Sequence, residues 1–257
     1  MDFTIDKHEG GAVFTLTRPA KLNSITKAIL KGLADCIDAL ERDKARFLIV
    51  TAEGERAFCA GTDLGESSGL SETDRVAKND GARALFVRLS KSPLLSVAAV
   101  NGLAYGGGLE LAMACTFRLS APHAKFSLPE VKLGVLPAYG GTQFLPAIVG
   151  KARALEMMLT GEPVDAQQAH VMGLINRIAR ADAALVDQAL AYARSVTQFS
   201  PVAIAAIRRA VDAASDSVTA EGLKAEQREM AIALASEDAK EGVAAFLEKR
   251  PAKFKGR

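Results

Sequence analysis

Two glutamates in apolar, glycine-rich surroundings are the residues of this chain best suited to chemistry. Glu110 lies in Asn101-Gly-Leu-Ala-Tyr-Gly-Gly-Gly-Leu-Glu110-Leu-Ala-Met-Ala-Cys115, with apolar neighbours on both sides. In the first turn of a helix a carboxylate can act as a cap, because the helix dipole favours negative charge there. A lone carboxylate in so apolar a run is otherwise either paired or chemically employed. Glu130 lies in Ser127-Leu-Pro-Glu-Val-Lys-Leu133, ahead of Gly134-Val-Leu-Pro-Ala-Tyr-Gly-Gly-Thr142. Its structural alternative is an ion pair with Lys132 or Lys125. Two carboxyl groups in two such settings suggest general acid–base work.

The triple glycine, Gly106 to Gly108, joins a buried strand pattern to an apolar helical one. Glycine permits positive φ and close approach of a ligand to the backbone. The first helical turn leaves N–H groups without internal partners. A strand–glycine–helix junction is therefore either an anion or oxyanion site or a tight, closely packed turn. Phe58-Cys-Ala-Gly-Thr62-Asp63-Leu64 follows another strand pattern. There Asp63 could cap a helix, or the segment is simply a connecting loop.

Other chemistries find little support. Gly65-Glu-Ser67-Ser-Gly69 matches a nucleophile elbow in letters, but that motif needs a strand directly before it and a helix directly after. The segment reads as a polar loop, and nothing places His123 or His170 beside Ser67 to complete a hydrolase triad. His123, between Pro122 and Ala124, reads as a solvated loop residue. No histidine or cysteine spacing suits a metal. Neither a Walker loop nor a dinucleotide fingerprint follows a strand.

The elements that must carry these residues alternate over the first 140 positions. Ala12–Thr17, Phe47–Thr51, Leu94–Val100 and, more weakly, Phe117–Ala121 read as strands. The short continuous apolar runs among them suit buried parallel strands. Ile25, Ile29, Leu33, Ile37 and Leu40 mark one face of a helix, and Leu85, Phe86 and Leu89 another. This is an α/β pattern with parallel character. Beyond about residue 141 the reading turns helical. Leu155, Met158 and Leu159 line a short helix. Asp165 caps Ala166–Met172, which Gly173 ends. Ser200-Pro201 opens another helix, and the Ala-, Glu- and Lys-rich stretch from about 217 to 249 favours helix. The expected division is an α/β core over 1–195 and a helical C-terminal region over 196–257.

Composition excludes several classes. The 257 residues are 49% hydrophobic and 24% charged, as in an ordinary globular chain. Net charge is only +2, so there is no electrostatic footprint for nucleic acid or a polybasic membrane anchor. Three cysteines without a C-x-x-C pair argue against a disulfide framework. No apolar run approaches the ~18 residues of a membrane span. The opening MDFTIDKHEG is acidic, without an apolar stretch, and resembles neither a secretory signal nor a transit peptide. The expected location is the cytoplasm.

Together the motifs resemble the enoyl-CoA hydratase/isomerase (crotonase) family, in order and over nearly the whole chain. Arg18-Pro-Ala-Lys-Leu-Asn23 resembles its R-P-x-x-x-N turn, and Phe58-Cys-Ala-Gly-Thr-Asp63 its A-G-x-D loop. Asn101-Gly102 through Glu110 resembles N-G-x-x-x-G-G-G-x-E. Pro129-Glu130 through Gly140-Gly-Thr-Gln143 resembles P-E…G-G-T-Q, and Gly161–Ala169 with Gly173-Leu174 the T-G…A…G-L stretch.

The resemblance implies a crotonase-like ββα spiral core with a helical C-terminal region for trimerisation and CoA covering. It implies reversible hydration of a trans-2-enoyl-CoA. Glu110 and Glu130 match the two hydratase glutamates, and the N–H groups of Thr62 and Gly107 the oxyanion hole. Substrate and CoA contacts are implied for Ala20, Lys21 and Leu22, for Ala60, Asp63 and Leu64, for Gly106, Pro129, Ala138 and Tyr139, and for Lys249. Met230 falls where some hydratases place an aromatic residue beside the adenine. Residues 65–92, including Ser67, Ser68, Leu70 and Phe86, are implied to shape the acyl pocket.

The resemblance further implies an acyl-CoA substrate, no metal or other cofactor because CoA arrives with the substrate, and a homo-oligomer that is a trimer or a dimer of trimers. No nucleic-acid or membrane partner is expected. The alternatives are an enoyl-CoA isomerase or specialised crotonase-type dehydratase, which need one base, and a non-catalytic acyl-CoA- or RNA-binding paralogue, which needs none. Three departures stand out. Thr116 replaces an aspartate that makes a structural contact. Gly65 replaces a phosphate-binding lysine. Ala138 replaces a glycine but keeps its N–H.

Overall fold

The computed structural model describes residues 1–67, 69, 71–213 and 220–257; the expected pocket residues Ser68 and Leu70 lie outside the described residues. The chain divides into two compact units, Met1–Ala193 and Arg194–Arg257.

The first unit begins with β1 (Phe3–His8), β2 (Gly11–Leu16), α1 (Lys27–Arg42), β3 (Phe47–Ala52) and β4 (Ala57–Cys59). It continues with α2 (Leu64–Ser67), α3 (Glu72–Lys91), β5 (Leu95–Val100), β6 (Leu103–Tyr105) and α4 (Gly107–Ala114). Then come β7 (Phe117–Ser120), β8 (Lys125–Ser127), a 3-10 turn at Pro129–Leu133, α5 (Gly141–Val149) and α6 (Lys151–Thr160). It closes with β9 (Val164–Asp165), α7 (Ala166–Val171), β10 (Arg177–Ile178) and most of α8 (Leu185–Thr197).

Two sheets result. The larger runs β1-β2-β3-β5-β7-β10, parallel except for the β1–β2 hairpin. The smaller runs β4-β6-β8-β9 and is parallel except at β9. Strands β3 and β5 are buried along their whole length, which is why they read as unbroken apolar runs rather than alternating ones. The α/β class follows from this mixture.

Local chemistry sets the helix boundaries. The Thr26 side chain accepts the Ile29 N–H and starts α1, whose buried stripe includes Ile29, Leu33, Cys36 and Ile37. Ile25 lies outside that helix; it bridges to Thr62, so its apolar spacing marks a β contact rather than a first turn. Asp165 and Gln168 form a reciprocal capping box at α7. In α6 the expected apolar face is corrected. Ala154 and Met157 are buried, while Leu155 and Leu159 are exposed.

The second unit is helical. Ser200 caps α9 (Pro201–Asp212) by accepting the Ala203 N–H, and α10 (Ala220–Ala235) and α11 (Glu237–Leu247) follow. Buried Asp238 accepts from the Ser200 hydroxyl and from the N–H groups of Lys255 and Gly256, tying down the tail.

Cys36, Cys59 and Cys115 are free and buried. Among the described residues no helix is long and apolar enough to cross a membrane, and no cluster of acidic, histidine or cysteine side chains could hold a metal ion.

Candidate active site

The smaller sheet delivers the site. Strand β6 ends at Tyr105, and Gly106 turns the chain directly into α4 with φ 52 and ψ −128, a conformation that side-chain-bearing residues avoid. A Cβ on Gly106 would also sit 2.8 Å from Glu130 Oε1, so the Glu130 carboxyl lies against this turn. Helix α4 is buried from Gly107 to Ala114. The Gly107 N–H opens the helix and has no intrahelical acceptor.

Thr62 is the other expected donor. Its neighbours use up the bonds to Ile25: the Ile25 N–H donates to Gly61, and the Asp63 N–H donates to Ile25. Alternation along a bridge turns the Thr62 N–H away from Ile25, and the preceding Gly61 packs closely on Gly106 and Gly107. Thr62 and Gly107 both line one cavity of about 470 Å³, together with Glu110 and Glu130.

The glutamates differ in their bonding. Glu110 is only 1% exposed, and its Oε1 accepts from the Tyr139 N–H at 2.8 Å and the Gly141 N–H at 2.7 Å. Burial pushes its carboxyl up to about 7; the Gly141 N–H opposes the rise, nearby Glu130 adds to it, and the Tyr139 N–H opposes it. Glu130 is the second residue of the Pro129–Leu133 turn, and burial raises its carboxyl as well. Its Oε2 is buried without a hydrogen-bond partner among the described residues. An unsatisfied buried carboxyl oxygen is costly unless something else supplies the bond. Lys132, the expected ion-pair candidate, bonds Glu162 instead, and Lys125 is in no ion pair with a described residue.

Most of the predicted site residues gather here. Ala60, Gly106, Pro129, Ala138 and Tyr139 line the cavity beside the two glutamates. Others do not. Ala20 and Lys21 are exposed on the 3-10 turn Pro19–Lys21, and Leu22 receives the Ala60 N–H through its carbonyl. Asn23 at the end of that motif is buried and donates to Glu53 and Ala57, a structural role. Asp63 is held by Arg18 at 2.8 Å and accepts the Gly65 N–H; the guanidinium keeps its carboxyl below the ordinary range. Leu64 begins α2, and Ser67 ends it rather than standing between a strand and a helix, as an elbow would require. Lys249 is exposed just past α11, in the other unit.

Some details were not readable from spacing. His123 is exposed, yet its Nε2 lies 3.1 Å and 3.0 Å from the carbonyls of Glu55 and Asn101. Thr116, in place of the family's aspartate, bonds Ser96 through both its N–H and its hydroxyl. Arg75 and Asn79 on α3 also line the cavity, which no motif signalled. Only their spacing of four, one helical turn on one face, could have hinted at it.

Comparison with known proteins identifies the family. Residues 6–257 match the family model described as enoyl-CoA hydratase/isomerase. A probable enoyl-CoA hydratase of Rhizobium meliloti is 40% identical over 245 residues, 95% of this chain and 94% of that protein. The 2,3-dehydroadipyl-CoA hydratase of Escherichia coli is 36% identical over 257 residues, 100% of this chain and 99% of that protein. The crystal structure of an enoyl-CoA hydratase from Bacillus anthracis superposes with a TM-score of 0.94 at 32% identity, covering 100% of both chains.

Proposed function

The chain belongs to the enoyl-CoA hydratase/isomerase family and has its crotonase fold, and on that premise we propose that this hydro-lyase adds water reversibly to a trans-2-enoyl-CoA at Glu110 and Glu130. The observation that carries the reading is the pair itself. A buried carboxyl and a half-buried one line one cavity, the first fixed by two N–H donors and the second with a buried oxygen that has no partner among the described residues. An isomerase needs only one such base. A non-catalytic paralogue needs neither.

The thioester carbonyl accepts the Thr62 and Gly107 N–H groups as enolate charge develops on it. One oxyanion donor is typically worth about 2.7–4 kcal/mol at the transition state. A water sits between the glutamates, filling the bond that Glu130 Oε2 lacks. Glu110, in its ionised form, takes a proton from that water as its oxygen adds to C3. Glu130, in its protonated form, delivers a proton to C2. The pair exchanges one proton internally, and the product gains one H and one OH. Two nearby carboxyls resist ionising together, so the singly protonated pair is the working state. The substrate brings its own CoA, and no metal or redox cofactor enters the steps.

The same reading includes a homo-oligomer, a trimer or a dimer of trimers, in which residues 196–257 support assembly and Lys249 meets CoA phosphate. It places the enzyme in the cytoplasm, consistent with three free cysteines. The acyl group is the open variable, since the Escherichia coli relative is named for 2,3-dehydroadipyl-CoA. The test is loss of the conjugated enoyl-thioester absorbance of crotonyl-CoA on adding the enzyme. Rapid loss with 3-hydroxybutyryl-CoA as product supports hydration. Migration of a 3-enoyl double bond without water addition would replace it with isomerisation.

A further inference from the structure

We propose that Arg75 and Asn79 recognise a carboxylate at the far end of the acyl chain, making this site one for trans-2-enoyl-CoA thioesters of dicarboxylic acids. The inference rests on the acyl-CoA reading above and goes on to specify the acyl class.

Besides the glutamates the cavity lining is largely apolar and includes Ala138 with Leu133, Val135 and Leu136, the last three exposed at its mouth. Arg75 and Asn79 are polar exceptions on α3, four positions apart and so on one face of the helix. That face continues inward through buried Ala82 to buried Phe86, whose ring meets Tyr139 edge-on at 5.7 Å. Tyr139 in turn holds Glu110. Helix α3 therefore runs from the catalytic end of the cavity outward. At ~1.5 Å per residue Asn79 lies ~10 Å and Arg75 ~16 Å along the helix axis from Phe86. A chain leaving the glutamates along the apolar wall reaches an amide first and a guanidinium next.

The guanidinium is available. Among the described residues Arg75 makes no ion pair or side-chain hydrogen bond, and unlike the other such arginines it lines this cavity. Arg75 is exposed, so it stays hydrated when a short acyl group leaves it empty. Its planar fork fits a carboxylate through two parallel N–H bonds, and Asn79 adds an amide donor. A methyl-ended chain of the same length offers neither group a partner.

Binding of saturated acyl-CoA thioesters tests this without relying on turnover. Hexanoyl- and octanoyl-CoA are compared by calorimetry with the same thioesters bearing a terminal carboxylate. The wild type is expected to favour the carboxylate form by about 10- to 100-fold at one length or both, the range of a charge-assisted hydrogen bond. Arg75→Gln collapses that ratio towards one, Arg75→Lys keeps part of it, and Asn79→Ala reduces it. Equal binding of the two forms at both lengths in the wild type overturns the proposal. So does an Arg75→Gln variant that weakens both forms alike, since the arginine then serves the CoA portion they share. Failure of crotonyl-CoA hydration, by contrast, strikes the hydratase reading and leaves this ratio to be measured.

Discussion

The Thr62 Oγ1 and the Tyr139 hydroxyl lie 2.6 Å apart, and that bond joins the two halves of the site. Tyr139 is 2% exposed and its backbone N–H donates to Glu110, while Thr62 carries one of the proposed oxyanion donors. Its ring lies 3.0 Å from where a Cβ on Gly107 would stand, beside the other proposed donor. One residue therefore touches both proposed donor residues and, through its N–H, the proposed catalytic carboxyl of Glu110. Tyr139→Phe keeps the ring and the N–H but loses the hydroxyl bond, which is worth about 0.5–1.5 kcal/mol. The expected result is a fall in kcat of roughly 2- to 10-fold with KM nearly unchanged. Thr62→Val should give a similar fall, and the double variant no more than either alone, as a double-mutant cycle would read.

Replacing either glutamate by glutamine removes the ionisable group while nearly preserving shape. General acid–base groups contribute about 10²- to 10⁴-fold each. Both Glu110→Gln and Glu130→Gln should lower kcat on crotonyl-CoA by at least 10²-fold. The double variant should lose far less than the product of the two, because the pair handles one water together. A mild effect at Glu110 beside a severe one at Glu130 would fit a one-base isomerase instead.

Much of this site could be seen in the residues alone, and the reasons for the remainder are physical. Glu110 and Glu130 stood out because charge is rare among Leu, Ala, Gly and Pro. Strands β3 and β5 stood out because interior parallel strands are apolar along their length. Strands β4, β6 and β8 have three residues each, too short for any period to show, yet they form the sheet that aims Gly106 and α4. The α6 face misled because apolar size does not decide which side packs: Leu155 and Leu159 face outward. Tyr139 could be placed in a motif but not given its hydroxyl partner, 77 positions away. No sequence pattern marked Arg75 and Asn79, since only the folded chain brings them to one cavity with Leu133 and Leu136.

The raised carboxyl of Glu110 makes a signed prediction about stability. Its folded value is about 7 against an ordinary 4.5, so between those values the folded chain binds more protons than the unfolded one. Stability must then fall as pH rises from about 4.5 to about 7 and level off above. Asp63, held low by Arg18, contributes in the opposite sense at more acidic pH. Comparison with Glu110→Gln removes this titration, since glutamine stays neutral and its oxygen can still accept the Tyr139 and Gly141 N–H groups. Urea unfolding should find the variant more stable than wild type at pH 8, by up to roughly 3 kcal/mol. The gap should shrink steadily towards pH 5.

Gly141 offers a way to move Glu110 without changing its chemistry. A Cβ at this position would stand 2.9 Å from Glu110 Oε1 and 2.9 Å from the Pro137 ring. The carboxyl must shift, because Pro137 cannot yield without moving its own backbone, and the shift breaks the 2.7 Å bond that aims it. A displacement near 1 Å in a catalytic group can cost about 10²-fold. Gly141→Ala should therefore lower kcat by roughly 10- to 100-fold. The Thr62 and Gly107 donors are not the groups that a Cβ at Gly141 meets, so KM for an acyl-CoA should change much less. A saturated acyl-CoA inhibitor provides the check, because its binding reports the thioester and CoA contacts alone. If its Kd rose as steeply as kcat fell, Gly141 would be shaping the whole cavity rather than the position of one carboxyl.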